Sequence, residues 1–168
     1  MHLTALAQPG RHGGGGENAK TARQTVYNMN LIQIDSEHLS IPDTDYASTI
    51  KIPSGEFSKI CREFYSLSET LQVSTSNGRV NFSVDGDIGS GTMSMGNSEE
   101  GEEQVQVEIT DEVDQQFALR YLNMFNKASG LSNYTTLCMH PETPLVVDFD
   151  MDTHGHLKFF LAPKISEE

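Results

Sequence analysis

Tryptophan is absent from the 168 residues, and cysteine occurs only at Cys61 and Cys138. Two cysteines do not make the disulfide framework of a small secreted domain. Cys61 falls on an apolar stripe and Cys138 in a strand-like run, so both read as buried free thiols of a reducing compartment. Long hydrophobic runs are also missing, and no stretch approaches the roughly 18 residues of a membrane span. The patch LTALA is too short for the core of a signal peptide, and Pro-Gly-Arg-His follows it. Arg11, Lys20 and Arg23 outnumber Glu17 nearby, but no transit-peptide cleavage pattern accompanies them. Basic residues are scarce: 11 Lys and Arg stand against 24 Asp and Glu, a formal net charge of −13. That balance argues against a general coating on nucleic acid and leaves room only for a local basic surface.

Signatures of catalysis and of phosphate cradles are missing as well. DGDIGSG, at 85–91, lacks the Lys-Ser/Thr ending of a P-loop, and no long helix follows it. There is no G-x-S-x-G elbow. Asp148-Phe149-Asp150-Met151-Asp152 invites a calcium reading but departs from the EF-hand loop, with Thr153 at the sixth position and Phe159 at the twelfth. Strand alternation accounts for it better, with Val147, Phe149 and Met151 inward and the carboxylates on the wet face. His154 and His156 have no further ligands at zinc spacing and read as a solvated turn. No metal, no cofactor and no enzymatic activity is expected.

The most strongly patterned stretch is 54–67, SGEFSKICREFYSL. Phe57, Ile60, Cys61, Phe64 and Leu67 recur at helical spacing and form one apolar stripe. Ser54 stands where an N-cap belongs, and Glu56 in the first turn suits the helix dipole. Lys59 and Arg62 lie on the opposite face. A shift of 61 residues brings Lys59 onto Arg120, Ile60 onto Tyr121, Cys61 onto Leu122 and Phe64 onto Phe125. The segment 118–128 thus predicts a second amphipathic helix, with Arg120, Asn123 and Lys127 on its polar face. Two helices of one design, each followed by strand-like sequence, read as an internal duplication.

Strand texture covers 26–35, 46–52, 71–75, 80–84, 92–95, 105–109, 113–117, 134–139, 145–151 and 157–161. Asn77-Gly78 is the dipeptide a two-residue type I′ hairpin prefers. Residues 1–22, with GGGG at 13–16 and no period, read as a disordered tail. The stretch 36–45 is a polar linker with an apolar island of Leu39, Ile41 and Pro42. Each unit therefore runs strand, helix, three strands. The whole predicts an α+β domain of antiparallel sheet with two helices on one side. Acidic residues crowd into 99–114, while basic ones fall on the outer faces of the two helices. A segregated basic face on an acidic chain is an electrostatic footprint for phosphates.

The segments LSIPDTDYASTIKIPSGEFSKICREF, FALRYLNMFNKASGLS and GHLKFFLAPKISEE resemble the C-terminal half of the proliferating cell nuclear antigen family, the eukaryotic sliding DNA clamps. The resemblance runs from about residue 27 to 168. It implies a DNA-clamp domain built from a duplicated β-α-β-β-β unit, with sheets outside and helices on the inner face of a homotrimeric ring. It implies that Lys51, Lys59, Arg62, Arg120 and Lys127 face double-stranded DNA. Residues 23–45 would hold the last strand of a first domain and the interdomain connector, and 46–168 the C-terminal clamp domain. Peptides of DNA polymerases, flap nuclease, ligase and clamp loader would dock in a groove of Leu39, Ile41, Pro42, Pro144, Phe160, Ala162 and Pro163. Tyr27 and Met29 would meet Ile88, Met93 and Met95 of the next subunit. The resemblance further implies a nuclear, non-enzymatic processivity factor for replication and repair, with no cofactor and no membrane association.

Three features set this chain apart from the family pattern. Almost the whole first domain is missing, which suggests a truncated form. The lysine that many members modify with ubiquitin or SUMO falls at Asn77, and some inner-surface basic positions are neutral here, including Asn81. A stand-alone peptide-binding module without DNA encirclement is the alternative expectation.

Overall fold

The computed structural model describes residues 45–97 and 104–165, together with the backbone of two strands, β1 (Leu3–Leu6) and β2 (Val26–Met29). The chain divides into two compact units, Met1–Asp43 and Thr44–Glu168. In the first, β1 and β2 pair antiparallel, with Leu3 opposite Met29 and Leu6 opposite Val26. The stretch 1–22 thus contains a strand where a structureless tail was expected, and β2 gains a ladder partner within the chain.

The second unit runs β3 (Ser48–Pro53), α1 (Ser54–Tyr65), β4 (Thr70–Ser76), β5 (Arg79–Gly86), β6 (Gly89–Gly96), β7 (Gln106–Ile109), β8 (Val113–Ala118), α2 (Leu119–Phe125), a 3-10 helix Asn126–Leu131, β9 (Tyr134–Met139), β10 (Leu145–Asp150), a 3-10 turn Asp152–His154 and β11 (His156–Leu161). Alternation sets which side chains enter the core: Leu71, Val73 and Thr75 from β4, and Val80, Phe82 and Val84 from β5, are buried. Asn77 and Gly78 both take positive φ, +50° and +72°, the backbone a type I′ hairpin needs.

Two antiparallel sheets result, in the orders β6-β5-β4-β8 and β11-β10-β9-β3-β7. The two repeat units exchange their first strands. β3 pairs with β9, Ile52 opposite Thr135, and β8 pairs with β4, Phe117 opposite Leu71. Each sheet is therefore completed by the other unit. This α+β architecture agrees with the sequence reading.

The repeat is offset differently from the one the helix pattern suggests. Ser54 N–H donates to Asn133 O at 2.9 Å, and Leu119 N–H donates to Glu69 O at 2.9 Å. These bonds are equivalent and place Ser54 with Leu119, a shift of 65 residues. Phe57 then matches Leu122, Cys61 matches Asn126 and Arg62 matches Lys127. The difference from the expected shift is one helical turn, which an apolar stripe cannot register because i and i+4 share a face. Tyr121 accordingly leaves the stripe and is exposed.

Two helix boundaries also change. Ser54 is not a cap: the N-cap position is Pro53, and no side-chain cap bond forms. The buried Ser54 hydroxyl instead lies 2.8 Å from Thr135 Oγ1 of β9. Ser54→Ala is expected to lower stability by about 1–3 kcal/mol, because it leaves the Thr135 hydroxyl without a partner. Ser54→Ala/Thr135→Val removes both hydroxyls and should recover most of that loss in urea unfolding. The second helix ends at Phe125, and 126–131 tightens into 3-10 geometry. Asn126, Ser129 and Gly130 are weak helix formers.

The core lies between the sheets and the helices. Phe57 of α1 packs 6.1 Å from Phe82 of β5, ring centre to centre. Phe125 of α2 stacks at 4.5 Å on Phe159 of β11, which meets Phe149 edge-on. These ring pairs hold α1 to the four-stranded sheet and α2 to the five-stranded one, and α1 also packs on β3 and β9 of the latter. Asn123 Nδ2 donates to Cys61 O at 3.3 Å and ties α2 to α1.

Candidate functional site

Burial of Phe57, Ile60, Cys61 and Phe64 on α1, and of Leu119 and Leu122 on α2, turns the opposite faces of both helices to solvent. Lys59 and Arg62 stand on the exposed face of α1. Arg120 stands on that of α2, and Lys127 follows on the 3-10 helix, also exposed. The packed helices therefore gather four of the five predicted cations on one layer. Residues 119–131 contain no acidic side chain; α1 contributes Glu56 and Glu63.

Lys51 is the fifth, and it stands on β3, beside Gly130 and Leu131 at the end of the 3-10 helix. Its neighbours Ile50 and Ile52 point into the core that the helices cover, so alternation turns Lys51 to the outer sheet face. Its ammonium sits 4.9 Å from the centre of the Tyr134 ring. Together with Asp150 and Asp152 they line a depression of about 250 Å³.

The outer face of the five-stranded sheet carries the second constellation. Phe160 of β11 is exposed and pairs in register with Val146 of β10. Pro144 and Ala162 are exposed and Pro163 is half-buried. Leu39, Ile41 and Pro42 lie outside the described residues. Beyond β11 the chain crosses to the free edge of β8: Lys164 N–H donates to Gln116 O at 2.7 Å, and Lys164 Nζ donates to Thr70 Oγ1 at 2.6 Å. Gln115 Nε2 donates to the carbonyls of His140 and Pro141 at 3.1 and 3.2 Å, and so pins the loop that leads to Pro144. A depression of about 380 Å³, lined by Gln72, Asp114, Gln115, Gln116, Pro141, Pro163 and Lys164, opens beside it. Gln115 and Lys164 had no sequence signal, since their partners are backbone atoms far along the chain.

The predicted subunit-interface residues separate into groups. Ile88 is exposed at the β5–β6 turn, whereas Met93 and Met95 are half-buried against the core. β6 ends its sheet with one edge free of ladder partners among the described residues. Of Tyr27 and Met29 only the backbone in β2 is described.

The carboxylate run is divided by the end of β10. Asp148 is half-buried, with Oδ1 3.3 Å from His156 Nδ1 and Oδ2 3.7 Å from Lys158 Nζ. Asp150 Oδ1 accepts from Asp152 N–H at 3.0 Å and holds the turn, in which Asp152 takes φ +53°. Met151 thus lies past the strand, and His156, expected in a turn, belongs to β11. Burial pushes the Cys61 thiol up to about 12. Cys138 is also raised, first by burial and then by the nearby Asp148 carboxylate. Both thiols are therefore protonated and poor nucleophiles at neutral pH.

Comparison with known proteins follows the same lines. The family model for the C-terminal domain of proliferating cell nuclear antigen matches residues 40–164. A proliferating cell nuclear antigen from Chaetomium thermophilum is 39% identical over 155 residues, covering 90% of this chain and 60% of that protein. The chain thus spans about 60% of the length of the curated relative it matches.

Proposed function

The chain belongs to the proliferating cell nuclear antigen family, and on that premise we propose that it is a sliding-clamp element that holds duplex DNA and tethers replication and repair proteins. The observation that carries this reading is the gathering of Lys59, Arg62, Arg120 and Lys127 on one exposed helical layer of an acidic chain. A clamp must hold DNA without reading it. Phosphate contacts supply affinity with little sequence information, and they let a protein slide. The acidic residues on the sheets and loops, among them Glu108, Asp111, Glu112 and Asp114, disfavour docking of DNA from other sides. Lys51 stands on a strand beside this layer rather than on the helices, in a depression that Gly130 and Leu131 of the 3-10 helix also line.

Peptides of polymerases, flap nuclease, ligase and the clamp loader dock, in this reading, beside Pro144, Phe160, Ala162 and Pro163. An exposed Phe next to two prolines leaves room for a partner's apolar anchors, and a few such anchors dominate an interface of this kind. The assembled form is a nuclear homotrimer that encircles DNA, with Ile88 and the free edge of β6 at the contact between subunits. The protein performs no catalytic step of its own.

Replacing Lys59, Arg62, Arg120 and Lys127 by Ala is expected to flatten the plot of log affinity for duplex against log salt by about 0.9 for each phosphate that is no longer neutralised. An unchanged slope would remove the helices from the DNA path. A second reading, a stand-alone peptide-binding module, draws on the groove alone, because Phe160 is exposed within a single chain. A monomeric mass in solution, with a partner peptide bound and no duplex bound, favours that second reading.

A further inference from the structure

Phosphate recognition leaves part of the helical layer unexplained. Tyr65 is 46% exposed, Tyr121 38% and Met124 57%, and all three are interleaved in sequence with Arg62, Arg120 and Lys127. A phosphate oxygen can use the hydroxyl of a tyrosine but not its ring face, nor a thioether, and a duplex keeps its base faces inside the stack. Aromatic faces set among cations suit unstacked bases instead.

Arg120 supplies a second observation. Its guanidinium carbon lies 4.6 Å from the centre of the Tyr121 ring, and its Nη2 donates to the Tyr121 hydroxyl at 2.9 Å. The pair fixes the ring's orientation before any ligand arrives, which lowers the ordering cost of stacking on it. A strand crossing α2 and the 3-10 helix meets no carboxylate from residues 119–131, whereas on α1 the exposed Glu63 stands between Arg62 and Tyr65 in sequence.

We infer that this helical face binds single-stranded DNA, with unstacked bases lying on Tyr65 and Tyr121 while Arg62, Arg120 and Lys127 neutralise the phosphates. The inference rests on the basic-layer reading above and adds to it a ligand with open bases.

The test uses the full chain and three labelled probes of equal length: oligo-dT, an abasic strand and a blunt duplex. The Tyr65→Leu/Tyr121→Leu variant should bind oligo-dT about tenfold more weakly than the unaltered chain. Its duplex affinity should stay within about twofold, since phosphate contacts dominate there. The unaltered chain should bind oligo-dT about tenfold more tightly than the abasic strand, and oligo-dT should quench its tyrosine fluorescence. That second comparison needs no variant, so it stands even if the double substitution misfolds. Duplex binding with oligo-dT no tighter than the abasic strand overturns this inference and leaves the duplex reading intact. Oligo-dT binding that needs the bases, without duplex binding, overturns the duplex reading and supports this one. Binding of neither ligand overturns both.

Discussion

Phe57→Ala is expected to lower the unfolding free energy by about 3–5 kcal/mol, as large-to-small changes of a buried aromatic do. Domains of this kind are stable by only about 5–15 kcal/mol, so the loss is a large fraction of the total. Phe57 is essentially inaccessible and lies at the foot of α1, packed on Phe82 of the four-stranded sheet. Ile60, Cys61 and Phe64 of the same core cluster come from the same rigid helix, so the space left beside Phe82 cannot close without moving α1. Lys59 and Arg62 ride on that helix. The variant should therefore show a lower urea midpoint and, in the folded fraction, weaker duplex binding. Tyr65→Ala, at an exposed site of α1, should change stability by no more than about 0.5 kcal/mol. Equal effects from the two substitutions would contradict the packing described for α1.

Gly86→Ala should be nearly as damaging, for the opposite reason. A Cβ at Gly86 would sit 1.9 Å from Leu67 O and 3.0 Å from Leu67 C. The obstacle is backbone, and that backbone is held. Leu67 N–H and Ser68 N–H both donate to Phe64 O, at 2.9 and 3.0 Å, and close the end of α1. Either the β5–β6 hairpin or the helix terminus must shift, and overpacking of this kind costs about 1–3 kcal/mol, here at the upper end. Gly55→Ala is the control. Nothing lies within 4 Å of a Cβ there, and the position is helical. It should stabilise the protein by roughly 0.5–1 kcal/mol. Thermal unfolding of the two variants should thus move in opposite directions, and a loss at both positions would refute the steric account.

Much of the fold was readable because its signals are local. Alternation located β4, β5, β9 and β10 within one or two residues, and Asn77-Gly78 announced its hairpin, since pleat and turn geometry depend only on neighbours in sequence. The helix stripe located α1 but missed its end and its cap. Ser54 has the residue type of a cap, yet a hydroxyl bonds whichever partner the fold places nearest, and Thr135 is brought there by β9. The 3-10 continuation after Phe125 and the burial of Asn126 against α1 were likewise invisible, because they arise where two helices meet.

The candidate site divides in the same way. Lys59, Arg62, Arg120 and Lys127 could be read as solvent-facing from helical period alone. Lys51 could not be separated from them, because proximity to α1 in sequence says nothing about which sheet face a strand residue takes once Ile50 and Ile52 are drawn inward. Tyr121, aligned with Ile60 by the helix pattern, proved to be exposed beside Arg120, one turn away from its expected equivalent.

The sequence alone determined the element types, the duplication, the solvent-facing cations of the two helical segments and the family. Tertiary structure decided the exchange of first strands between the repeats, the true offset of those repeats, the placement of Lys51 on a strand apart from the helical cations and the exposure of Tyr121 beside Arg120. The division has a physical cause. Period and propensity act over a few bonds, whereas strand partners and neighbouring helix faces are chosen by burial of a shared core between residues distant in the chain.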